Sequence, residues 1–96
     1  MNPVKKSQKE KAVVRMEEGY MRATIPYSSV EYRNLVLSIV SNITKETKLH
    51  PECIERQDTA TKGFITVEFS GEEYMHRDSG DYITKLLHTL DIDYTD

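Results

Sequence analysis

One pair of residues in the chain has the types and spacing of a metal site. His50 and Cys53 form an H-x-x-C pair, which is half of a common zinc-binding arrangement. Zinc takes four ligands, usually from two such pairs, and the other histidines, His76 and His88, stand singly. A buried cysteine beside a loop histidine therefore explains the pair better than a metal site does.

A second stretch, YMHRDSGDY at residues 74–82, supplies the residue types of a nucleophile triad. Ser79 lies near His76, with an aspartate on each side of the serine. No G-x-S-x-G turn accompanies them, and neighbours at a helix start seldom point at one another as a triad requires. Capping of a helix explains the serine and the aspartates without catalysis.

The same stretch contains His76-Arg77-Asp78, which matches the H-R-D of a protein-kinase catalytic loop. A kinase also needs an asparagine five residues after the aspartate, and that position is Ile83. Because the kinase interpretation fails as well, the sequence predicts a protein with no catalytic, cofactor-binding or metal-binding residues.

The composition limits the class of protein. The 96 residues suffice for one small domain, and 38% apolar with 30% charged residues is typical of a globular protein with some excess of charge. No apolar run approaches the roughly 18 residues of a membrane span, and the start of the chain lacks a signal peptide's apolar core. With one cysteine, these features favour a reducing intracellular compartment without membrane contact.

Charge is distributed unevenly, although the net charge is only −3. The start of the chain is basic and the last third is acidic. We expect residues 1–15 to form a disordered basic arm and residues 16–96 to form a single α+β domain. Such an arm can contact nucleic acid or an acidic partner, although a solvated terminus needs no partner.

Three segments have strand patterns. Residues 18–26 alternate between apolar and polar side chains, which indicates a half-buried strand that ends at Pro26. Residues 51–58 and 64–70 predict an antiparallel hairpin, with Gly63 taking a positive φ angle in the loop. The side chains expected to point outward on the sheet are Tyr20, Arg22, Thr24, Thr66 and Glu68.

Two segments have the 3.6-residue period of amphipathic helices. The first spans residues 29–46, starts with a capping box of Ser28 and Glu31, and has Leu37 off its main stripe, which makes it apolar beyond its core-facing side. The second spans residues 79–90, with Asp78 or Ser79 as its cap. Each tyrosine in the chain is expected at the edge of the core with its hydroxyl in water.

The order of these elements, β-α-β-β-α, predicts the fold. Two helices and three strands fit an α+β two-layer sandwich, with both helices on one face of a three-stranded antiparallel sheet. The other face of the sheet then meets water or a partner.

Several strings, taken in order, resemble the small dimerising subunit of the KEOPS complex, also called the CTAG/LAGE family. That family has a strand ending in I-P-aromatic, a helix, a hairpin ending in V-x-F, an Arg-x-Ser helix start and a leucine-rich closing helix. The corresponding residues here are Ile25-Pro26-Tyr27, Val67-Glu68-Phe69, Arg77-Asp78-Ser79, Leu86, Leu87, Thr89 and Leu90. The resemblance covers about residues 20–92, and the chain departs from it in the loop at residues 47–62 and in its lysine-rich start.

The resemblance implies a non-catalytic protein of the cytoplasm, and also of the nucleus, that forms a homo- or heterodimer through its sheet. It implies that the helices hold the catalytic subunit of a complex that makes threonylcarbamoyladenosine on tRNA, so that any tRNA contact is indirect. The helix residues expected to contact that partner are Tyr32, Leu35, Val36, Leu37, Ile83 and Leu87.

The alternative is a small RNA-binding module that uses the basic arm and the Tyr20/Arg22 face of the sheet, with Arg22 and Arg77 as the RNA contacts. The acidic last third opposes a broad phosphate-binding surface. A third interpretation is a small enzyme that acts through His76 and Asp78.

Overall fold

The alternating segments and the apolar stripes form one α+β unit. The computed structural model describes residues 11–17, 19–71 and 77–95. Within them the strands are β1 (Ala12–Glu17), β2 (Tyr20–Tyr27), β3 (Glu52–Gln57), β4 (Gly63–Ser70) and β5 (Tyr94–Thr95), and the helices are α1 (Val30–Thr47) and α2 (Arg77–Leu90).

The strands form one mixed sheet in the order β3-β4-β2-β1-β5. The predicted β2, β3 and β4 are antiparallel neighbours, but the prediction of three antiparallel strands was incomplete. β1 adds an antiparallel strand beside β2, and β5 pairs parallel to β1. Residues 12–15, assigned to the basic arm, are part of β1, and residues 1–10 of that arm lie outside the described residues.

β1 was not predicted because its apolar residues do not alternate with polar ones. Val13 and Val14 are adjacent and therefore lie on opposite faces of the strand, and Arg15 follows them. The strand forms because β2 offers an unpaired side and because Ala12 is completely buried in the core. Gly19, with a φ of 102°, makes the tight turn between β1 and β2.

Two turn residues have other roles than the predicted ones. Pro26 lies inside β2, opposite Phe64 of β4, rather than ending the strand. β1 pairs with β2 only as far as Thr24. At Pro26, β2 therefore has β4 beside it but not β1, and the sheet tolerates the missing amide of the proline there. Gly63 is the first residue of β4 and is not one of the residues with positive φ.

The helix starts differ by one or two residues from the predicted ones. Ser29, not Ser28, caps α1, because its extended backbone lets its Oγ accept a hydrogen bond of 3.1 Å from the Tyr32 amide. α2 begins at Arg77, so Asp78 and Ser79 lie in its first turn. Lys48 closes α1 in the left-handed conformation, and its amide bonds to the Thr44 carbonyl.

The core lies between the sheet and the two helices. One face of the sheet contributes the predicted inward residues of β2 and β4, and the helices contribute their apolar stripes. The most deeply buried apolar side chains are Ile25, Ile65, Val67, Phe69, Val36, Leu86 and Leu90. In the described part of the chain, neither helix is long and apolar enough to cross a bilayer.

Candidate protein-docking surfaces

The six helix residues predicted to contact a partner separate into core and surface. Val36 is completely buried, and Ile83 and Leu87 are each 4% exposed. These side chains pack into the core, where the stripe that faces the sheet needs them. Leu35 is 47% exposed, whereas Tyr32 and Leu37 are half-buried at the edge of the core.

Leu35 belongs to an apolar ridge on α1. Helix residues three and four apart are neighbours, so Leu35 adjoins Tyr32 on one side and Ile39 on the other. Both neighbours are half-buried. We call Tyr32, Leu35 and Ile39 the α1 ridge. The exposed leucine and its two half-buried neighbours make the α1 ridge a candidate docking surface.

A second apolar surface is a groove beside α2, which we call the α2 groove. It has a volume of about 350 Å³, and the exposed Met16 of β1 and Tyr94 of β5 form its rim. Its other apolar lining residues include Val14, Met21, Ile83 and Leu87. Ile83 and Leu87, which are almost completely buried, thus line this groove. The sequence did not predict it, because β1 and β5 were not predicted.

The outward face of the sheet is mainly polar. Arg22 donates to Glu68 over 2.9 Å and lies 4.6 Å above the Tyr20 ring. Thr24 and Thr66 are hydrogen-bonded at 3.3 Å in the next row. Arg22, one of the two predicted RNA contacts, therefore has its charge paired within the sheet. The other, Arg77, begins α2, and its side chain lies outside the described part of the chain.

A polar cluster fixes the edge of the sheet to α1. Arg33 of α1 makes two hydrogen bonds to the Glu55 carboxylate of β3, of 2.5 and 2.8 Å. Tyr27 of β2 donates a third, of 2.7 Å, to the same carboxylate. The bonds from Arg33 and then from Tyr27 lower the pKa of Glu55 to about 2. We call Tyr27, Arg33 and Glu55 the edge anchor.

The edge anchor predicts a pH dependence of stability. Because the pKa of Glu55 is lower in the folded chain than its ordinary value of 4.5, the contribution of this carboxylate is complete above that value and is lost as the pH falls towards about 2. Glu55→Gln should therefore lower the melting temperature at pH 7, and the difference from the wild type should shrink below pH 4.5. Thermal unfolding followed by circular dichroism measures both. An equal difference at every pH would mean that charge is not the cause.

The residues that suggested chemistry are not gathered into a site. Cys53 lies on the edge strand β3 and is exposed, rather than buried as predicted. Asp78 is exposed in the first turn of α2, Ser79 is fully buried, and His76 lies outside the described residues. Among the residues that are described, no three His, Cys, Asp or Glu side chains come together to hold a metal ion.

Comparison of this chain with protein-family models, with curated proteins and with solved structures found no match. The resemblance to the CTAG/LAGE family accordingly stays a prediction from the strings named above.

Proposed function

We propose that this chain is a non-catalytic scaffold subunit of a KEOPS-like complex that makes threonylcarbamoyladenosine on tRNA. In this proposal two chains pair through their sheets, and the helices hold the catalytic subunit. The observation that carries the proposal is the α1 ridge, where Leu35 is 47% exposed on a helix whose adjacent face is buried in the core.

The strings of the family resemblance also support the proposal by their positions. Ile25-Pro26-Tyr27 ends β2, Val67-Glu68-Phe69 lies in β4, and the leucines and Thr89 lie in the second half of α2. These are the elements that the resemblance requires, in the required order. The proposal needs a helix layer that offers apolar side chains outward, and the α1 ridge and the α2 groove supply them.

Leu35→Glu tests the docking role of the α1 ridge. Leu35 is exposed, so the variant should fold with an unchanged melting temperature. Its affinity for the catalytic subunit from the same organism should fall by about tenfold or more, as for a buried apolar interface residue. Isothermal titration calorimetry with the two purified proteins measures the affinity.

Ser41→Glu is the matched control for Leu35→Glu. It adds the same charge to an exposed position of α1 that lies roughly 120° around the helix from Leu35, and it should leave the affinity unchanged. If wild-type chain and catalytic subunit do not bind, the proposed function is wrong. If both variants bind as the wild type does, the subunits meet through another surface.

A second candidate function is RNA binding by the outward face of the sheet. The observation that favours it is the stack of Arg22 on Tyr20, with Arg15 of β1 directly opposite Arg22. Binding of tRNA should then weaken steeply between about 50 and 200 mM salt, and removing residues 1–10 should reduce the slope. The truncation stops there because β1 begins at Ala12. Absence of salt-dependent binding would remove this candidate.

A further inference from the structure

β3 is an open edge of the sheet. Within the described residues it has a single neighbouring strand, β4, which pairs with all six of its residues, while at the opposite edge the short β5 pairs only with Ala12 and Val13 of β1. All six residues of β3 are exposed. An edge strand presents a row of unused backbone amides and carbonyls, which a further strand can pair with.

The side chains of β3 alternate between the two faces of the sheet. Glu52, Ile54 and Arg56 point to the outward face, because they oppose Glu68, Thr66 and Phe64 of β4. Cys53 and Glu55 point towards the helix layer. The outward row therefore reads acidic, apolar, basic along the strand, and such a row is complementary to itself when it is reversed.

We propose that β3 pairs antiparallel with β3 of a second copy of this chain, with Ile54 on the two-fold axis. In this register Glu52 of each copy lies opposite Arg56 of the other, and the two Ile54 side chains meet. Opposite charges and apolar pairs across antiparallel strands are stabilising. The inference deepens the proposed function and rests on it, since it assigns the sheet pairing to one strand and one register.

Other registers of the same strands are less favourable. An axis at Glu55 would place two carboxylates opposite each other, which is destabilising. An axis at Cys53 would leave only residues 52–54 of each strand paired. An axis between two residues would set the outward face of one copy against the helix-side face of the other. Charge and face together select the register centred on Ile54.

The single chain is prepared for this contact. Ile54 is 45% exposed. Glu52 lies opposite Glu68 of β4, which is already paired with Arg22, so a cation from another copy would be a partner for Glu52. The Arg56 side chain is 77% exposed, and its ion pair with Asp58 is long, at 3.5 Å. The guanidinium can therefore also pair with a carboxylate of a second copy. The edge anchor holds β3 in place, which reduces the ordering that binding requires.

The contact is small, and this sets its expected strength. A stable interface buries about 1,200–2,000 Å², which is more than the five paired residues of each strand, 52–56, supply. We expect a dimer that dissociates in the micromolar range or weaker, on the order of 10⁻⁶ M or above. Sedimentation velocity across concentrations should therefore show a monomer–dimer equilibrium.

Cysteine cross-linking tests directly which residues of the two strands lie opposite each other. In the Cys53→Ser background, Ile54→Cys places two thiols on the axis, where opposed Cα atoms are roughly 4.5–5.5 Å apart, within disulfide range. Cys53 of the wild type is the matched control, because its Cα atoms would lie roughly 7–8 Å apart, too far for a disulfide. Partial desolvation by its neighbours and then the charge of Glu55 raise the pKa of the Cys53 thiol, so both proteins are oxidised at the same alkaline pH, about 8.5 or above. A covalent dimer of the wild type but not of the variant would overturn the register.

A charge exchange tests the pairing without cross-linking. Glu52→Arg should weaken the dimer roughly tenfold, because it places an arginine opposite Arg56 of the other copy on both sides of the axis. Its fold should be retained, since the new arginine faces Glu68 of β4. The double variant Glu52→Arg/Arg56→Glu should restore the dimer, as the pairs are simply reversed.

The outcomes separate the two proposals. If the chain forms a dimer that Glu52→Arg does not weaken, and the Ile54→Cys variant forms no disulfide-linked dimer, the edge pairing is wrong. The proposed function would still stand. A chain that stays monomeric at every concentration and does not bind the catalytic subunit would overturn both.

Discussion

Replacing Gly63 by alanine is expected to lower the free energy of unfolding by about 3 kcal/mol, the upper part of the range for overpacking a core. A Cβ at this position would lie 2.3 Å from the carbonyl oxygen of Arg56 and 2.6 Å from the Tyr27 hydroxyl oxygen. The first atom is backbone of β3, so relief requires β3 to move away from β4. Chemical denaturation followed by circular dichroism measures the change.

The expected loss is large because Gly63 makes room for the edge anchor. The Tyr27 ring lies over the glycine, with its Cζ 2.9 Å from the position a Cβ would take, and from there its hydroxyl reaches Glu55 at 2.7 Å. An alanine displaces the ring as well as the strand. The effect of Gly63→Ala should therefore include the loss of the hydrogen bond between Tyr27 and Glu55.

Gly80→Ala is the control for this substitution. Gly80 lies inside α2, and a Cβ there would meet only the Met21 methyl at 4.0 Å. Alanine is favoured over glycine in a helix by about 0.5–1 kcal/mol, so this variant should be more stable than the wild type. If Gly63→Ala left the denaturation midpoint unchanged or raised it, as Gly80→Ala should, the close packing of Tyr27 on Gly63 would be wrong.

The helices were predictable because each carries its own signal. The stripe in α1 repeats every three to four residues, and burial against a sheet is the direct consequence of that period. The stripe does not determine which of its apolar residues are buried in the core. Val36 and Leu35 are adjacent, yet one is fully buried and the other half exposed, because a step of one residue turns the side chain by roughly 100°.

The sheet was predictable only where a strand has one polar face. β2 and β4 alternate, and their inward residues were assigned correctly. β1 has valines on both faces, and β5 has two residues, too few for any period. β1 exists because β2 pairs with it across the turn at Gly19 and because the distant β5 adds a second pairing, in which the Ala12 amide donates a hydrogen bond of 2.9 Å to the Asp93 carbonyl. Pairing at that sequence separation leaves no local pattern.

The candidate surfaces also divide into those that a single helix forms and those that several elements form together. Leu35 was assigned to a docking surface from the family resemblance and the apolar excess of α1; it is exposed, and its docking role stays a prediction. The α2 groove depends on β1 and β5, and the edge anchor joins three elements through residues that look unremarkable in sequence. Glu55 on its own is one of many acidic residues, and its role appears only when Arg33 and Tyr27 are brought to it.

Tyr82→Ala is expected to lower the free energy of unfolding by about 3–5 kcal/mol, as for other large aromatic side chains removed from a core. Tyr82 is 1% exposed, and its ring meets Phe69 edge-on at 5.1 Å between centroids. Its hydroxyl bonds to Thr44 Oγ1 at 2.7 Å and donates to the Val40 carbonyl at 3.1 Å. The hydroxyl is thus inside the fold, not in water as the sequence suggested.

Tyr82→Phe separates the contribution of the ring to stability from that of the hydroxyl. This variant keeps the contact with Phe69 and should cost only about 1 kcal/mol, the net value of a typical hydrogen bond. Thr44→Val in both backgrounds completes a double-mutant cycle, and a coupling of about 0.5 kcal/mol or more is expected for side chains in contact. Additive effects would mean that the bond between Tyr82 and Thr44 contributes nothing. Coupling would mean that α1 and α2 are joined by a polar link as well as by apolar packing.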